Sequence, residues 1–142
     1  MKSIALAITT GLLSVVLSAP SYALVAPGNV LCASHHKPLK VRVSFDAAFE
    51  NGVIITDSAT GRVAMTFNNF YGRGAGREWR SGAGTWVSRP GRCYTVRAQH
   101  KTGPANPSLP WVESHYQRDG NKLGFEDGAD NDYNDAVVRI LR

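Results

Sequence analysis

Five of the chain's 11 acidic residues fall within ten consecutive positions: Glu126, Asp127, Asp130, Asp132 and Asp135. The run Gly124-Phe125-Glu126-Asp127-Gly128-Ala129-Asp130-Asn131-Asp132-Tyr133-Asn134-Asp135 leads straight into an apolar segment. Like charges about 4 Å apart repel by roughly 1 kcal/mol in bulk water, and by several times that near a protein surface. Such a loop is unfavourable unless a cation cancels the charge. Calcium suits it, because it takes about six to eight oxygens from carboxylates and amide carbonyls at flexible geometry. Glu126, Asp130, Asp132, Asn134 and Asp135 offer those oxygens, and Gly128 eases the sharp turn of the backbone. No Cys or His lies in the window, which disfavours softer metals. Carboxylates repeated at this density can bridge neighbouring ions, so two calcium ions per chain are expected.

Other readings of the same residues are weaker. Asp130, Asp132 and Asn134 satisfy the first three ligand positions of an EF-hand, but Asp135 stands where that loop needs Gly and Leu141 where it needs Glu. A solvated acidic loop without metal does not explain Asp and Asn at every second position between two strands. His35-His36, His100 and His115 read as ordinary histidines rather than a zinc or copper site. The fragment Gly72-Arg73-Gly74-Ala75-Gly76-Arg77 lacks the strand before and the helix after that a dinucleotide fingerprint requires. No Gly-x-Ser-x-Gly, catalytic Cys/His pairing or phosphate-binding loop appears, and glycoside hydrolysis needs one carboxyl kept protonated, which adjacent cations oppose. The chain is therefore not expected to be an enzyme. Arg73, Arg77, Arg80, Arg89, Arg92 and Arg97 with Trp79, Trp86 and Tyr71 raise the prospect of a face for nucleic acid or an anionic polysaccharide. A solvated basic face over core aromatics is the simpler reading, and nucleic acid is not an expected partner.

The elements that must position the loop are strands. Val41, Val43 and Phe45 alternate with Lys40, Arg42 and Ser44; Val63, Met65 and Phe67 with Ala64 and Thr66; Tyr94, Val96 and Ala98 with Thr95 and Arg97. After the acidic run, Ala136, Val138 and Ile140 share one face of a terminal strand. Shorter strand candidates are residues 53–56, 85–88, 111–115 and 123–125. Turn signals recur between them, including Asn51-Gly52, Pro90-Gly91, Gly103-Pro104 and Asp119-Gly120. Residues 72–84 form a Gly/Arg-rich loop. Many short strands with regular turns predict an all-β fold, an antiparallel β-sandwich or small barrel. With 142 residues and 43% hydrophobic content, one such domain is expected.

Lys2, the apolar residues 4–17 and the small residues Ser21 and Ala23 predict an export signal over residues 1–23, leaving a domain over residues 24–142. A secreted or periplasmic location follows, with no insertion in a membrane. Cys32 and Cys93 are the only cysteines, and in an exported chain they are read as a disulfide. The formal charge of +5 conceals segregation: after the leader is removed the acidic window carries −5 and the rest of the chain +9.

The stretch from Glu126 to Val138, Glu-Asp-Gly-Ala-Asp-Asn-Asp-Tyr-Asn-Asp-Ala-Val-Val, resembles the signature of the bacterial calcium-mediated lectins, proteins that bind fucose and mannose through two adjacent calcium ions. The likeness covers about the last 50 residues well and the first half poorly, and it implies a β-sandwich and fucose- or mannose-type glycans as partners. It also implies roles. Glu126, Asp130, Asp132 and Asp135 would hold the first calcium; Asp132, Asn134 and Asp135 would share the second; Asp127 would hydrogen-bond the sugar. Bound hydroxyls would thus meet Asp127, Asp130, Asp132, Asn134 and Asp135. The family's second ion also takes an Asn from an early loop, for which Asn51 or Asp46 is available here. Family members end in a Gly whose carboxylate completes a neighbour's site, whereas this sequence ends in Arg139-Ile140-Leu141-Arg142, so a homo-oligomer stays open. The alternative from another class is an exported β-sandwich whose calcium is purely structural, serving adhesion or protein interaction.

Overall fold

The computed structural model describes residues 28–47, 49–69, 83–102, 108–128 and 130–141. The leader over residues 1–23, the Gly/Arg-rich stretch through residue 82, and the Gly103-Pro104 turn lie outside the described residues.

Ten strands are described, all paired antiparallel: β1 (Val30–Cys32), β2 (Lys40–Phe45), β3 (Asn51–Asp57), β4 (Val63–Asn68), β5 (Gly84–Val87), β6 (Cys93–Lys101), β7 (Trp111–Glu113), β8 (His115–Asp119), β9 (Lys122–Glu126) and β10 (Ala136–Leu141). One sheet runs β1-β6-β3-β4, with β7 also on β6; the other runs β5-β2-β10-β9-β8. The architecture is the antiparallel β-sandwich expected from alternation.

The alternating apolar positions are the ones that meet between the sheets. Val41 and Val43 of β2, Leu123 and Phe125 of β9 and Ala136 and Val138 of β10 face Val53 and Ile55 of β3, Phe67 of β4 and Val96 and Ala98 of β6 in one buried cluster. Each fully buried Val or Ile contributes about 1.5–3 kcal/mol. Residues 111–115, expected as one short strand, instead divide at Ser114: β7 pairs with β6, and β8 pairs with β9 in the other sheet. The Ser114 amide still donates to the Ala98 carbonyl at 2.9 Å, so the chain changes sheets immediately after it. Val63 also departs from expectation, standing 60% exposed at the open end of edge strand β4.

Cys32 and Cys93 face each other across β1 and β6 and form the expected disulfide, spanning 61 residues. It fastens a three-residue edge strand whose own ladder is too short to hold it. Closing a loop of this length constrains the unfolded chain by about 4 kcal/mol in the chain-entropy picture. Replacing both cysteines with Ala should lower unfolding free energy by about 2–5 kcal/mol in urea titrations.

Candidate functional site

Four strand ends converge at one end of the sandwich. β9 finishes at Glu126 and β10 begins at Ala136, and the acidic loop spans the gap between them. β2 ends beside it, and the Asp46 amide donates to the Asp135 carbonyl at 3.1 Å. From the opposite sheet β3 begins at Asn51, paired with His100 near the end of β6.

The loop is folded back tightly on β9. A Cβ placed on Gly124 would overlap the Tyr133 carbonyl, so only glycine allows this approach. Asn131 and Tyr133 adopt left-handed backbone, with φ of 59° and 53°. Asn tolerates that region, whereas Tyr rarely adopts it and is held there by its surroundings.

Backbone amides point inward at the carboxylates. The Gly128 amide donates to Glu126 Oε1 at 2.8 Å and the Tyr133 amide to Glu126 Oε2 at 3.2 Å. The Asp127 amide donates to Asp135 Oδ2 at 2.7 Å. Asp132 accepts from the Asn134 amide at 3.1 Å and from Asn134 Nδ2 at 2.6 Å. Across the sandwich, Asn51 Nδ2 donates to Asp127 Oδ2 at 2.6 Å.

Two groups of three carboxylates result, Glu126 with Asp130 and Asp132, and Glu126 with Asp127 and Asp135; in each, oxygens of all three lie within 4.8 Å of one another. Ligands on opposite sides of a calcium ion, at about 2.4 Å each, would be separated by about this distance. The first group is mostly exposed and the second buried. Burial pushes the Asp135 carboxyl up to about 7, and the charges of Asp127 and Glu126 add to the shift against the Asp127 amide that favours ionisation. Its neighbours do not provide the positive charge that would keep it ionised.

A second feature bears on the donor set. Asn51 is 0% exposed, yet its Oδ1 has no hydrogen-bond partner among the described residues. An unsatisfied buried carbonyl costs about 1–3 kcal/mol. Its carboxamide leans on Asp127, and a hard cation beside it would satisfy an all-oxygen donor set. The residues present therefore fit calcium.

The structure gathers Glu126, Asp127, Asp130, Asp132, Asn134, Asp135 and Asn51 at one end of the fold. Asp46, Asp127, Asp130, Asp132, Asn134 and Asp135 border an open depression of about 430 Å³. Asp127 is buried against Asn51 and Asp135 rather than standing free on the rim. Sequence reasoning missed Phe49, which forms the apolar wall of this depression. Its carbonyl accepts from Asn69 Nδ2 at 2.7 Å and from Asn51 Nδ2 at 3.3 Å, so two side-chain amides fix its position. A lone aromatic in a loop carries no periodic signal that would have singled it out. Behind the acids, His100 Nδ1 lies 2.8 Å from Ser114 Oγ; burial lowers its basicity, partly countered by the charges of Asp127 and Glu126.

This geometry can be set beside known structures. The chain is similar to the C-terminal domain of the BC2L-C lectin from Burkholderia cenocepacia, with 23% identity and a TM-score of 0.50 over 79% of this chain and 92% of that one. The fold is one that a bacterial lectin also uses. The lectin CV2L of Chromobacterium violaceum, solved with alpha-methyl-fucoside, is 22% identical with a TM-score of 0.46, over 81% of this chain and 96% of that one. No protein-family model and no curated protein matches the sequence.

Because Gly124 is where the loop meets β9, Gly124→Ala should displace the Tyr133 backbone. Overpacking of this kind costs about 1–3 kcal/mol. Urea denaturation should show that loss, and an amide NMR spectrum should show shifts concentrated between residues 126 and 135.

Proposed function

We propose that this chain is an exported, calcium-dependent carbohydrate-binding protein of the bacterial calcium-mediated lectin family, taking fucose- or mannose-type glycans. The observation that carries the reading is the gathering of Glu126, Asp127, Asp130, Asp132 and Asp135 into close carboxylate groups, together with the fully buried, unsatisfied Asn51 Oδ1 beside them. The signature from Glu126 to Val138 and the fold shared with the BC2L-C domain support it. The Cys32–Cys93 bond fits an oxidising compartment outside the cytosol.

Glu126, Asp130, Asp132 and Asp135 would hold one calcium, and Asp132, Asn134, Asp135 and Asn51 a second. When bound, the ions would supply open coordination positions in which neighbouring sugar hydroxyls replace water. The chain's own residues do the rest. Asp127, whose Oδ2 is held by the Asn51 amide, would accept a sugar hydroxyl only through the part of its carboxylate that borders the depression. Phe49, held by Asn51 and Asn69, offers an apolar face to the ring or its methyl group. Backbone amides at Gly128 and Tyr133 fix the Glu126 carboxylate before any ligand arrives, so little ordering cost falls on binding. Binding rather than catalysis follows, because carboxylates held ionised by cations cannot act as acids.

Glu126 favours a second reading for part of the site. At 3% exposed, with both oxygens already bonded to backbone, it suits an ion that serves the fold alone.

Calcium titration by calorimetry should show about two ions per chain, and saturating calcium should raise the melting temperature; at 100 times its Kd a ligand adds about 2.7 kcal/mol. A glycan array should show fucose- or mannose-containing glycans bound with calcium and released by chelator, with binding abolished in Asp132→Asn. Chelator-insensitive binding of fucose- or mannose-type glycans, or none of these bound at all, overturns the lectin reading; calcium-dependent stability without a response to these glycans assigns the ions a structural role. Phe49→Ala should weaken sugar binding about two- to tenfold while leaving calcium affinity unchanged, since aromatic contacts add about 0.5–1.5 kcal/mol.

A further inference from the structure

The end of the sandwich opposite the acidic loop carries a second concavity. β3 runs from Asn51 beside the acids to Asp57 here, and β6 runs from Tyr94 here to His100 there. Six residues of strand separate the two ends by about 20 Å. The concavity, about 410 Å³, opens between β4 and β5, which are edge strands of the two sheets.

Its floor is aromatic. Trp86 of β5 meets Tyr94 of β6 edge-to-face, with ring centroids 4.7 Å apart and planes at 84°. Its rims are apolar, because Val63 on β4 and Val87 on β5 stand 60% and 53% exposed. Three guanidinium side chains, Arg62, Arg89 and Arg92, line it, against a single carboxylate, Asp57. One oxygen of that carboxylate is engaged, Oδ1 accepting from the Ala59 and Thr60 amides at 3.0 Å each, while Oδ2 lies 3.7 Å from Arg92. Among the described residues no carboxylate is paired with Arg62 or Arg89. The rim bearing Arg89 is rigid, since its amide donates to the Tyr94 hydroxyl at 3.2 Å and its carbonyl accepts from Ser88 Oγ at 3.1 Å.

Excess guanidinium, exposed apolar rims and a ring-lined floor make opposed demands on a ligand. The guanidinium forks match the geometry of a carboxylate, which they can grip by two parallel hydrogen bonds. The valines and Trp86 require an apolar face beside that charge. Asp57 and Thr60 add hydrogen-bond acceptors at the same place, which suit a ligand carrying hydroxyl donors. A polyphosphate backbone has neither the apolar face nor the donors, and Asp57 repels it.

We propose that this cleft is a second, calcium-independent binding site for an acidic saccharide, a pyranose bearing a carboxylate. The carboxylate sits between Arg62 and Arg89, the ring's C–H face lies on Val63, Val87 and Trp86, and its hydroxyls donate toward Asp57. The cleft shares no residue with the acidic loop, so the proposal stands whether or not that loop binds sugar. A chain with binding sites at both ends can bridge two different glycans.

The test is calorimetry on the full mature chain in excess chelator, which silences any calcium site, using trigalacturonate, maltotriose and a single-stranded oligonucleotide of equal charge. Trigalacturonate should bind, maltotriose should not, and the oligonucleotide should bind at least tenfold more weakly. Arg62→Gln with Arg89→Gln should weaken trigalacturonate at least tenfold with no change in melting temperature, because both side chains are exposed. Absence of trigalacturonate binding in chelator, equal binding of the oligonucleotide, or binding that survives the double substitution each overturns the proposal. Trp86→Phe, which keeps the ring contact with Tyr94, provides a second variant; it should weaken binding two- to tenfold without unfolding the chain.

Discussion

The rest of this molecule is arranged around the repulsion among carboxylates held at the join of β9 and β10. Each close pair opposes the folded loop by roughly 1–4 kcal/mol, depending on how much water surrounds it. The protein meets part of that cost with dipoles. The amides of Asp127, Gly128, Tyr133 and Asn134 all turn inward to carboxylate oxygens, and the left-handed backbone at Asn131 and Tyr133 is the conformation in which that loop is found. Amide dipoles nevertheless leave the Asp135 carboxyl pushed up by burial and Asn51 Oδ1 unsatisfied.

The sandwich makes that concentration of charge tolerable. Strands β9 and β10 pair with each other, and β10 pairs with β2, through ladders that reach the acidic loop. Phe125 and Ala136, immediately inside Glu126 and Asp135, are buried in the core, so the ends of the loop cannot spread without exposing apolar surface. From the second sheet comes Asn51, carried on a strand whose neighbours Val53 and Ile55 are wholly buried. Two buried groups beside it, Glu50 and Lys101, are 3.4 Å apart, and the Lys101 amide donates to the Glu50 carbonyl at 2.9 Å. Leaving either partner of such a pair unmatched inside the protein costs several kcal/mol. The segment that delivers Asn51 is thereby held from both sides.

How much of this was legible in the sequence depended on whether the signal was local. Strands β2, β6 and β10 were legible because one face is core and the other wet, which produces alternation in adjacent residues. β8 was not: His115, Tyr116, Gln117, Arg118 and Asp119 form an edge strand with little burial on either face, so no alternation exists to read. β1, at three residues, is too short for periodicity and is defined by its bond to β6. The acidic window was legible because its density of carboxylates is itself the anomaly. Its internal grouping was not, since Asp127 is placed by Asn51, 76 residues away, and Phe49 in part by Asn69, 20 residues away. Arg62 likewise joined no sequence pattern, because Arg89 and Arg92, which line the same cleft, lie in the distant turn between β5 and β6.

Net charge alone obscures the division of labour that the fold imposes. The acidic end concentrates carboxylate and carboxamide oxygens, while the opposite end concentrates guanidinium groups around aromatic and apolar surface. If the two ends were adjacent, the arginines would pair with the aspartates, and each cluster would lose its concentrated charge. About 20 Å of strand prevents this, since at ordinary ionic strength charges are largely screened beyond about 10 Å. The antiparallel sandwich therefore does more than hold a loop in shape: its strand length keeps the two opposite charge clusters electrostatically independent.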